Sequence, residues 1–241
     1  MNTTPLPVRA LVLAALALPM AAPWQAAQAA RPLVTDDARI VDPQSCQLEA
    51  WLRFHRDGTE RWALPGCNVT GNFELTFGGA VQSYGDGTAL TDIQLQGKTV
   101  LKPVQANGYG VALVFGGVNH PKAEDRKALG TAYAYVPLTV SFADDHYLLH
   151  TNLGISRDRE ARETRMTWGI ATEAVLNQRL TAIAESFGEN RGNPWYQLGL
   201  RIWLVPNRVQ LDATYGSRLG NQAADRFVSV GLRLLSPPFL R

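Results

Sequence analysis

Apolar and polar residues alternate with a period of two in three successive segments between residues 195 and 235. In the first segment the apolar residues share one face, and Gln197 and Arg201 share the other, as expected for a pleated strand with one dry face. The alternation resumes after Pro206-Asn207, a pair typical of tight turns, and again after the polar loop 216–225. A short turn and a long loop between three such strands predict an up-and-down antiparallel sheet.

The same alternation recurs upstream and gives about twelve strands in all. The Ala-rich stretch 165–187 also fits a helix, but its Gln, Thr and β-branched residues at period two favour strands. Short turns alternate with longer charged loops over the second half of the chain, which is typical of an outer-membrane barrel. The further predicted strands are 46–55, 61–67, 73–84, 90–102, 109–118, 131–142, 147–155, 165–176 and 178–187.

The apolar face of these strands contacts lipid in a membrane barrel and a protein core in a soluble fold. Segments of about ten to thirteen residues exceed the usual soluble strand and match a tilted membrane strand. Aromatic residues lie near strand ends, where two interfacial girdles are expected. We therefore predict an all-β fold, an antiparallel up-and-down transmembrane β-barrel of about 12 strands; a soluble periplasmic β-sandwich or lipocalin-like ligand-binding protein is the alternative. The girdle candidates are Trp51, Trp62, Tyr84, Tyr109, Tyr147, Trp195, Tyr196 and Tyr215.

Charged residues recur on the face opposite the apolar one. A dry sandwich interior does not tolerate them, whereas a water-filled or ion-paired lumen does. They predict either a permeation path or a narrow lumen filled by mutual salt bridges. The predicted lumen-lining residues are Glu173, Arg179, Glu185, Arg201, Asp212 and Arg233, and the same face carries Glu49, Arg53, Glu74, Asp92 and Lys98.

The first 29 residues have the features of a cleaved signal peptide. Arg9 precedes an apolar run, and Ala27-Gln28-Ala29 supplies small residues where a signal peptidase cuts; an uncleaved anchor is the alternative. We assign 1–29 to the signal peptide, 30–45 to an extended N-terminal arm without periodicity, and 46–241 to the barrel. An exported chain of this kind is expected in the bacterial outer membrane. Past residue 30, no apolar stretch approaches the roughly 20 residues of a membrane helix.

Composition excludes a polyanion partner and points to one disulfide. The 23 Lys and Arg are interspersed with 21 Asp and Glu in 241 residues, so no clustered basic face is expected for nucleic acid. Cys46 and Cys67 are the two cysteines, and an even count in an exported chain predicts a bridge. If residues 56 and 57 form a hairpin tip, positions 46 and 67 face each other.

Metal, cofactor and catalytic sites are not expected. Two thiols without a nearby His pair do not make a metal site, and no cofactor is predicted. Asp36-Asp37 and Asp144-Asp145 could contribute to a Ca²⁺ site, but solvated turns are the simpler interpretation, and the first pair could instead tether the arm to a lumen arginine. His146 and His150, with Ser141 across a turn, resemble parts of a hydrolase site; lumen packing or an interfacial position is favoured, so we predict no enzyme.

Two segments carry a resemblance to a known family. The stretch Thr35-Asp36-Asp37-Ala38 and the stretch Cys46-Gln47-Leu48-Glu49-Ala50 resemble proteobacterial outer-membrane proteins of the phenol meta-degradation transporter type. Residues 94–99 and the ending 230–235 also fit it. The resemblance implies a β-barrel that passes small hydrophobic or aromatic molecules into the cell.

The expected partners follow from a barrel in a membrane. They are outer-membrane lipid, the barrel-assembly machinery and a small-molecule solute whose identity the sequence leaves open. Many barrels end on an aromatic residue that the assembly machinery recognises, whereas this chain continues past its last strand to Phe239 and Arg241. Phe239 is the candidate for that terminal signal.

Overall fold

The structure is a computed structural model that describes residues 31–85, 87–122, 129–220 and 225–240. The predicted signal peptide, 1–29, lies outside the described residues. Twelve strands follow one another in the described chain, in this order: β1 (Cys46–His55), β2 (Gly58–Asn68), β3 (Phe73–Tyr84), β4 (Gly87–Lys102), β5 (Tyr109–Asn119), β6 (Thr131–Phe142), β7 (Tyr147–Asp158), β8 (Glu163–Val175), β9 (Leu180–Glu189), β10 (Trp195–Val205), β11 (Val209–Arg218) and β12 (Phe227–Leu235).

The strands form one closed barrel with up-and-down topology. Each strand pairs antiparallel with its sequence neighbours, and β1 pairs with β12 to close the ring. The predicted antiparallel barrel of about twelve strands is confirmed. Residues 165–187 fall in β8 and β9, so the helical interpretation of that stretch is wrong.

The predicted alternation sets which side chains face outward. On β10, Leu198 and Leu200 are 55% and 49% exposed, whereas Gln197 and Arg201 are each 1% exposed. The barrel is thus polar inside and oily outside, the reverse of a soluble β-protein. Within the described ranges, no helix has the length and apolar character that a bilayer crossing needs.

The two ends of the barrel differ in their connections. At the turn end, where β1 begins and β12 ends, the strands are joined by 69–72, 103–108, 143–146, 176–179 and 206–208. At the loop end they are joined by 56–57, 85–86, 120–130, 159–162, 190–194 and 219–226. Asn207 has a φ of 57°, consistent with the predicted tight turn. The longest connections therefore lie at the loop end, as the barrel interpretation predicts.

A disulfide joins the first hairpin at the turn end. Cys46 faces Cys67 across β1 and β2, and their sulfurs are bonded. The predicted pairing is confirmed, because residues 56 and 57 do form the hairpin tip.

The aromatic residues divide between the two faces. Tyr84, Tyr109, Tyr147 and Tyr215 are 43–57% exposed on the outside, near strand ends, as predicted. Trp51, Trp62 and Trp195 instead lie on inward-facing positions. Trp51 stacks on Trp62 with ring centroids 5.2 Å apart, so the predicted girdle position of these three tryptophans is wrong.

The chain leaves the barrel after Leu235. The Phe239 amide donates to the Gln44 carbonyl at 2.9 Å, and the Phe239 side chain is 59% exposed. Phe239 is therefore outside β12, and its part in assembly stays a prediction.

Candidate functional site: the arm and the cavity inside the barrel

The N-terminal arm, residues 31–45, lies inside the barrel. Four of its amide groups donate to side chains of the wall. Val34 and Thr35 donate to the Glu185 carboxylate at 2.8 Å, Ala38 donates to Thr139 Oγ1 at 2.9 Å, and Val41 donates to Glu74 Oε2 at 2.8 Å. Because β3, β6 and β9 each hold one part of the arm, the arm crosses the lumen from wall to wall.

Two aspartates fix the middle of the arm. Lys98 Nζ on β4 lies 2.7 Å from Asp36 Oδ1 and 3.1 Å from Asp37 Oδ1. Tyr135 donates a further hydrogen bond to Asp36 at 3.2 Å. The proposed tether thus exists, but it is to a lysine and not to an arginine.

Arg31 fixes the end of the arm against β11, β12 and β1. Its guanidinium lies 3.4 Å from the Asp212 carboxylate, 3.1 Å from Ser229 Oγ and 3.9 Å from the centre of the Trp51 ring. Its carbonyl accepts a hydrogen bond from Arg201 at 3.0 Å. Burial lowers the pKa of Arg31 to about 10, so the side chain is a cation at neutral pH.

A buried ionic network fills the lumen behind the arm. Arg201 Nη1 donates to Glu173 Oε2 at 2.7 Å, and His150 Nε2 lies 3.3 Å from Glu173 Oε1. All three residues are at most 1% exposed. Side chains and the arm therefore enclose this part of the lumen.

The open space lies beside the arm, which lines it together with side chains of β1, β4, β6 and β8 among others. A cavity of about 1000 Å³ extends from Gln47, near the start of β1, to Asn193 in the β9–β10 connection. Its charged lining contains eight cationic and five anionic side chains, and hence a surplus of positive charge. The cations are Arg31, Arg39, Arg53, Lys98, Arg165, Arg191, Arg218 and Arg233, and the anions are Asp36, Asp37, Glu49, Glu74 and Glu189.

Five of the six predicted lumen residues point into the barrel, in two different settings. Arg233 lines the cavity. The inward-facing residues Glu173, Glu185, Arg201 and Asp212 are at most 5% exposed and hold the arm or each other.

Arg179 is a correction to the predicted lumen set. It is exposed in the turn 176–179, because β9 begins only at Leu180 and the alternation does not extend into the turn. Of the six predicted lumen residues, Arg233 is therefore the one that lines the cavity.

Several cavity residues escaped the sequence analysis. Arg165, Arg191 and Arg218 lie at or beyond strand ends, where alternation gives no direction. Arg165 Nη2 lies 2.7 Å from Glu163, and Arg165 Nη1 also pairs with Glu189. These charges form the loop-end mouth of the cavity.

The histidine on β7 belongs to a buried group of Thr139, His150 and Glu173. Thr139 Oγ1 lies 2.9 Å from His150 Nδ1, and Glu173 lies beyond the other ring nitrogen. Thr139 and His150 are 0% exposed, and the Ala38 amide already donates to the Thr139 hydroxyl. The arrangement therefore serves packing and tethers the arm, because a nucleophile has to meet its substrate.

The aspartate pairs considered as calcium ligands have protein partners. Asp144 accepts from Asn107, and Asp145 accepts from Ser141. In the part of the chain that the structure describes, no group of three or more His, Cys, Asp or Glu side chains is arranged to hold a metal ion.

One family model matches the chain over residues 14–235. The chain belongs to the family described as "Uncharacterised conserved protein UCP029691". No curated protein matches the chain.

Solved outer-membrane barrels share its fold. The KdgM porin is 11% identical over 78% of this chain and 98% of its own, with a TM-score of 0.59. The NanC porin is 9% identical over 78% and 98%, with a TM-score of 0.56. Outer membrane phospholipase A from Escherichia coli is 11% identical over 80% and 93%, with a TM-score of 0.51.

These identities show a common fold and nothing finer. The likeness agrees with the barrel fold that the sequence resemblance implied, but it does not extend to the phenol meta-degradation type. Because porins and a phospholipase share this architecture, the fold by itself does not separate a channel from an enzyme.

Proposed function

We propose that this barrel is inserted in the bacterial outer membrane and passes small solutes through its cavity. The observation that carries the proposal is a charged cavity of about 1000 Å³ inside a barrel whose outer face is oily. Lipid solvates such an outer face, and water and solutes occupy such an interior. Outer-membrane lipid is then the partner of the outer face.

The charge of the cavity favours anions over cations. Cationic side chains outnumber anionic ones in its lining, and charge rings of one sign select ions of the other. This favours polar and anionic solutes over the uncharged hydrophobic molecules implied by the sequence resemblance. Aromatic molecules stay candidates where they carry a negative charge.

The arm restricts the path. Side chains of β3, β4, β6 and β9 hold it across the lumen, and arm residues line the cavity together with the wall. A solute that traverses the barrel therefore passes alongside the arm, and movement of the arm widens the passage.

The orientation of the barrel follows from its connections. In outer-membrane barrels the short turns face the periplasm and the longer loops face outward. The turn end, with its disulfide, then faces the periplasm, where the barrel-assembly machinery acts and where disulfides persist. The cavity mouth at Arg165 and Arg191 faces the exterior.

Planar-bilayer recordings test the proposal. Purified protein, reconstituted at low density in a KCl gradient, is expected to give small steps of conductance with a reversal potential on the anion-selective side. Boiled protein is the control. If conductance does not exceed that of the boiled sample, even in a variant with a loosened arm, the channel proposal is wrong.

A second measurement separates membrane insertion from transport. Folded outer-membrane barrels migrate differently on gels before and after boiling, and this protein is expected to do so and to fractionate with outer membranes. Free solubility without a mobility shift would contradict insertion. Phospholipid hydrolysis by the purified protein would instead favour the enzymatic alternative.

A further inference from the structure

Arginines and aromatic rings form a connected group in the loop-end half of the cavity. We name the group of Arg31, Trp51, Arg53, Trp195, Arg218 and Phe227 the arginine–aromatic cluster. Arg31 lies 3.9 Å from the Trp51 ring centre, Arg53 lies 4.8 Å from that of Phe227, and Arg218 lies 4.7 Å from that of Trp195. The Trp195 and Phe227 ring centres are 6.0 Å apart, so the Arg53 and Arg218 pairs merge along β1, β12, β11 and β10. The Arg31–Trp51 pair is next to them, because Trp51 lies two residues before Arg53 on the same face of β1.

The cluster has more hydrogen-bond donors than acceptors. The Nε atoms of Arg31, Arg53 and Arg218 and the indole nitrogen of Trp51 are buried and have no acceptor in the protein. A buried donor without an acceptor is destabilising. The four residues that carry these donors all line the cavity.

The nearby carboxylates do not supply that acceptor. Glu60 lies 3.7 Å from Arg53, but it is 2.9 Å from His55. Asp225 lies 3.9 Å from Arg218, and Asp212 lies 3.4 Å from Arg31. Each of these ion pairs is longer than a strong charge-assisted hydrogen bond, so the three guanidinium groups keep donor capacity.

The three arginines differ in how far they can meet a ligand. The Arg218 side chain is 40% exposed, that of Arg53 is 22% exposed and that of Arg31 is 6% exposed. All three line the cavity, together with the aromatic residues Trp51, Trp195 and Phe187. A ligand arriving from the loop end therefore meets Arg218 and Arg53 first and Arg31 last, along an aromatic wall.

We propose that the arginine–aromatic cluster binds a small organic acid, with its carboxylate on Arg53 and Arg31 and its ring against Trp195 and Phe187. Guanidinium groups recognise carboxylates through paired N–H donors. Aromatic walls add contact with a flat ring. The proposal rests on the channel function, for which the cluster is the first binding position inside the mouth.

Titration of the purified, folded full-length barrel in detergent tests the ligand class. Benzoate is the probe, benzamide is its uncharged counterpart and acetate is the carboxylate without a ring. Calorimetry and tryptophan fluorescence are expected to show saturable benzoate binding at least tenfold tighter than binding of either control. Equal affinity for benzamide or for acetate would overturn the proposal.

Substitutions locate the site. Arg53→Gln and Arg218→Gln are each expected to weaken benzoate binding at least fivefold, whereas Arg179→Gln, in the exposed turn at the opposite end, leaves it unchanged. Arg218 lies at the rim and packs on Trp195, the proposed wall for the ligand ring. Its variant therefore still reports on the site if Arg53→Gln does not fold, as judged by the gel shift. Wild-type affinity in a folded Arg218→Gln barrel would refute the assignment.

Bilayer recordings on the same samples keep the two proposals apart. If the protein conducts, benzoate does not reduce the conductance and calorimetry shows no binding, the channel proposal stands and the cluster assignment is wrong. If the barrel binds benzoate but does not conduct, the channel proposal is wrong and the binding site stands.

Discussion

Lys98 Nζ lies 2.7 Å from the Asp36 carboxylate, although the two residues are separated by 62 positions in the chain. The contact joins the wall of the barrel at β4 to the arm in its interior. Both side chains are largely buried, at 6% and 21% exposure. The ion pair between Lys98 and Asp36 therefore helps to hold the arm in the lumen.

Replacing Lys98 by Ala is expected to loosen the arm. The variant removes the cation that holds both aspartates, and Asp37 is only 1% exposed, so an uncompensated buried charge drives the arm toward water. Single-channel conductance should rise at least twofold. Lys102→Ala, at the end of β4 beside Tyr109, is the matched control, and equal conductance in both variants would show that the arm does not restrict the path.

A charge placed on the outer face is expected to impair membrane assembly. Leu200→Arg and Val230→Arg put a cation at positions that are 49% and 46% exposed to the surrounding medium. Near the middle of the bilayer this costs about 2–4 kcal/mol. Folding yield into lipid vesicles should fall for both, whereas Leu176→Arg, in a turn, should fold normally; wild-type yields throughout would argue against a lipid-facing surface.

Breaking the buried ion pair behind the arm is expected to destabilise the barrel. Glu173→Gln removes the negative charge 2.7 Å from Arg201. Loss of one partner of a buried pair costs about 3 kcal/mol, which urea titrations of folding into vesicles can resolve. Glu189→Gln disrupts an exposed pair with Arg165, so its effect should stay below about 1 kcal/mol. Similar shifts in the two variants would indicate that the lumen is hydrated.

Removing the disulfide is expected to weaken the first hairpin without altering the cavity. The bridge closes a loop with a sequence separation of 21, and such a loop is worth about 3 kcal/mol. The double variant Cys46→Ser and Cys67→Ser should unfold at lower urea but keep wild-type benzoate affinity. A loss of benzoate binding at full folding would place the bridge in the functional site.

The strands and their faces were predictable because both depend on local alternation. Leu200 and Arg201 take opposite sides of one strand whatever the barrel size, and the Cys46–Cys67 pairing follows from one hairpin tip. The same rule also identifies Trp51 as an inward residue, since it shares parity with Glu49 and Arg53. Assigning Trp51 to a girdle followed its distance from the strand end, which is the weaker signal.

The arm and the cavity were not predictable to the same extent. Residues 31–45 have no period, and their partners, such as Glu185 and Thr139, lie more than 100 positions away. Alternation indicates that Glu185 points inward, but it does not show whether water or a chain segment meets it there. Arg179 marks the other limit, because the predicted strand begins at 178 and β9 begins at Leu180. This difference of two residues moves the Arg179 side chain from the lumen to the turn.

The arm has a thermodynamic consequence for the barrel as a whole. Its amides are recognised by side chains of the wall in the way a receptor recognises a peptide, and residue 46 attaches this ligand permanently. Tethering raises the effective concentration of such a segment into the millimolar range. Individually modest contacts therefore keep the receptor occupied by its own chain, and a competing solute has to displace an intramolecular ligand.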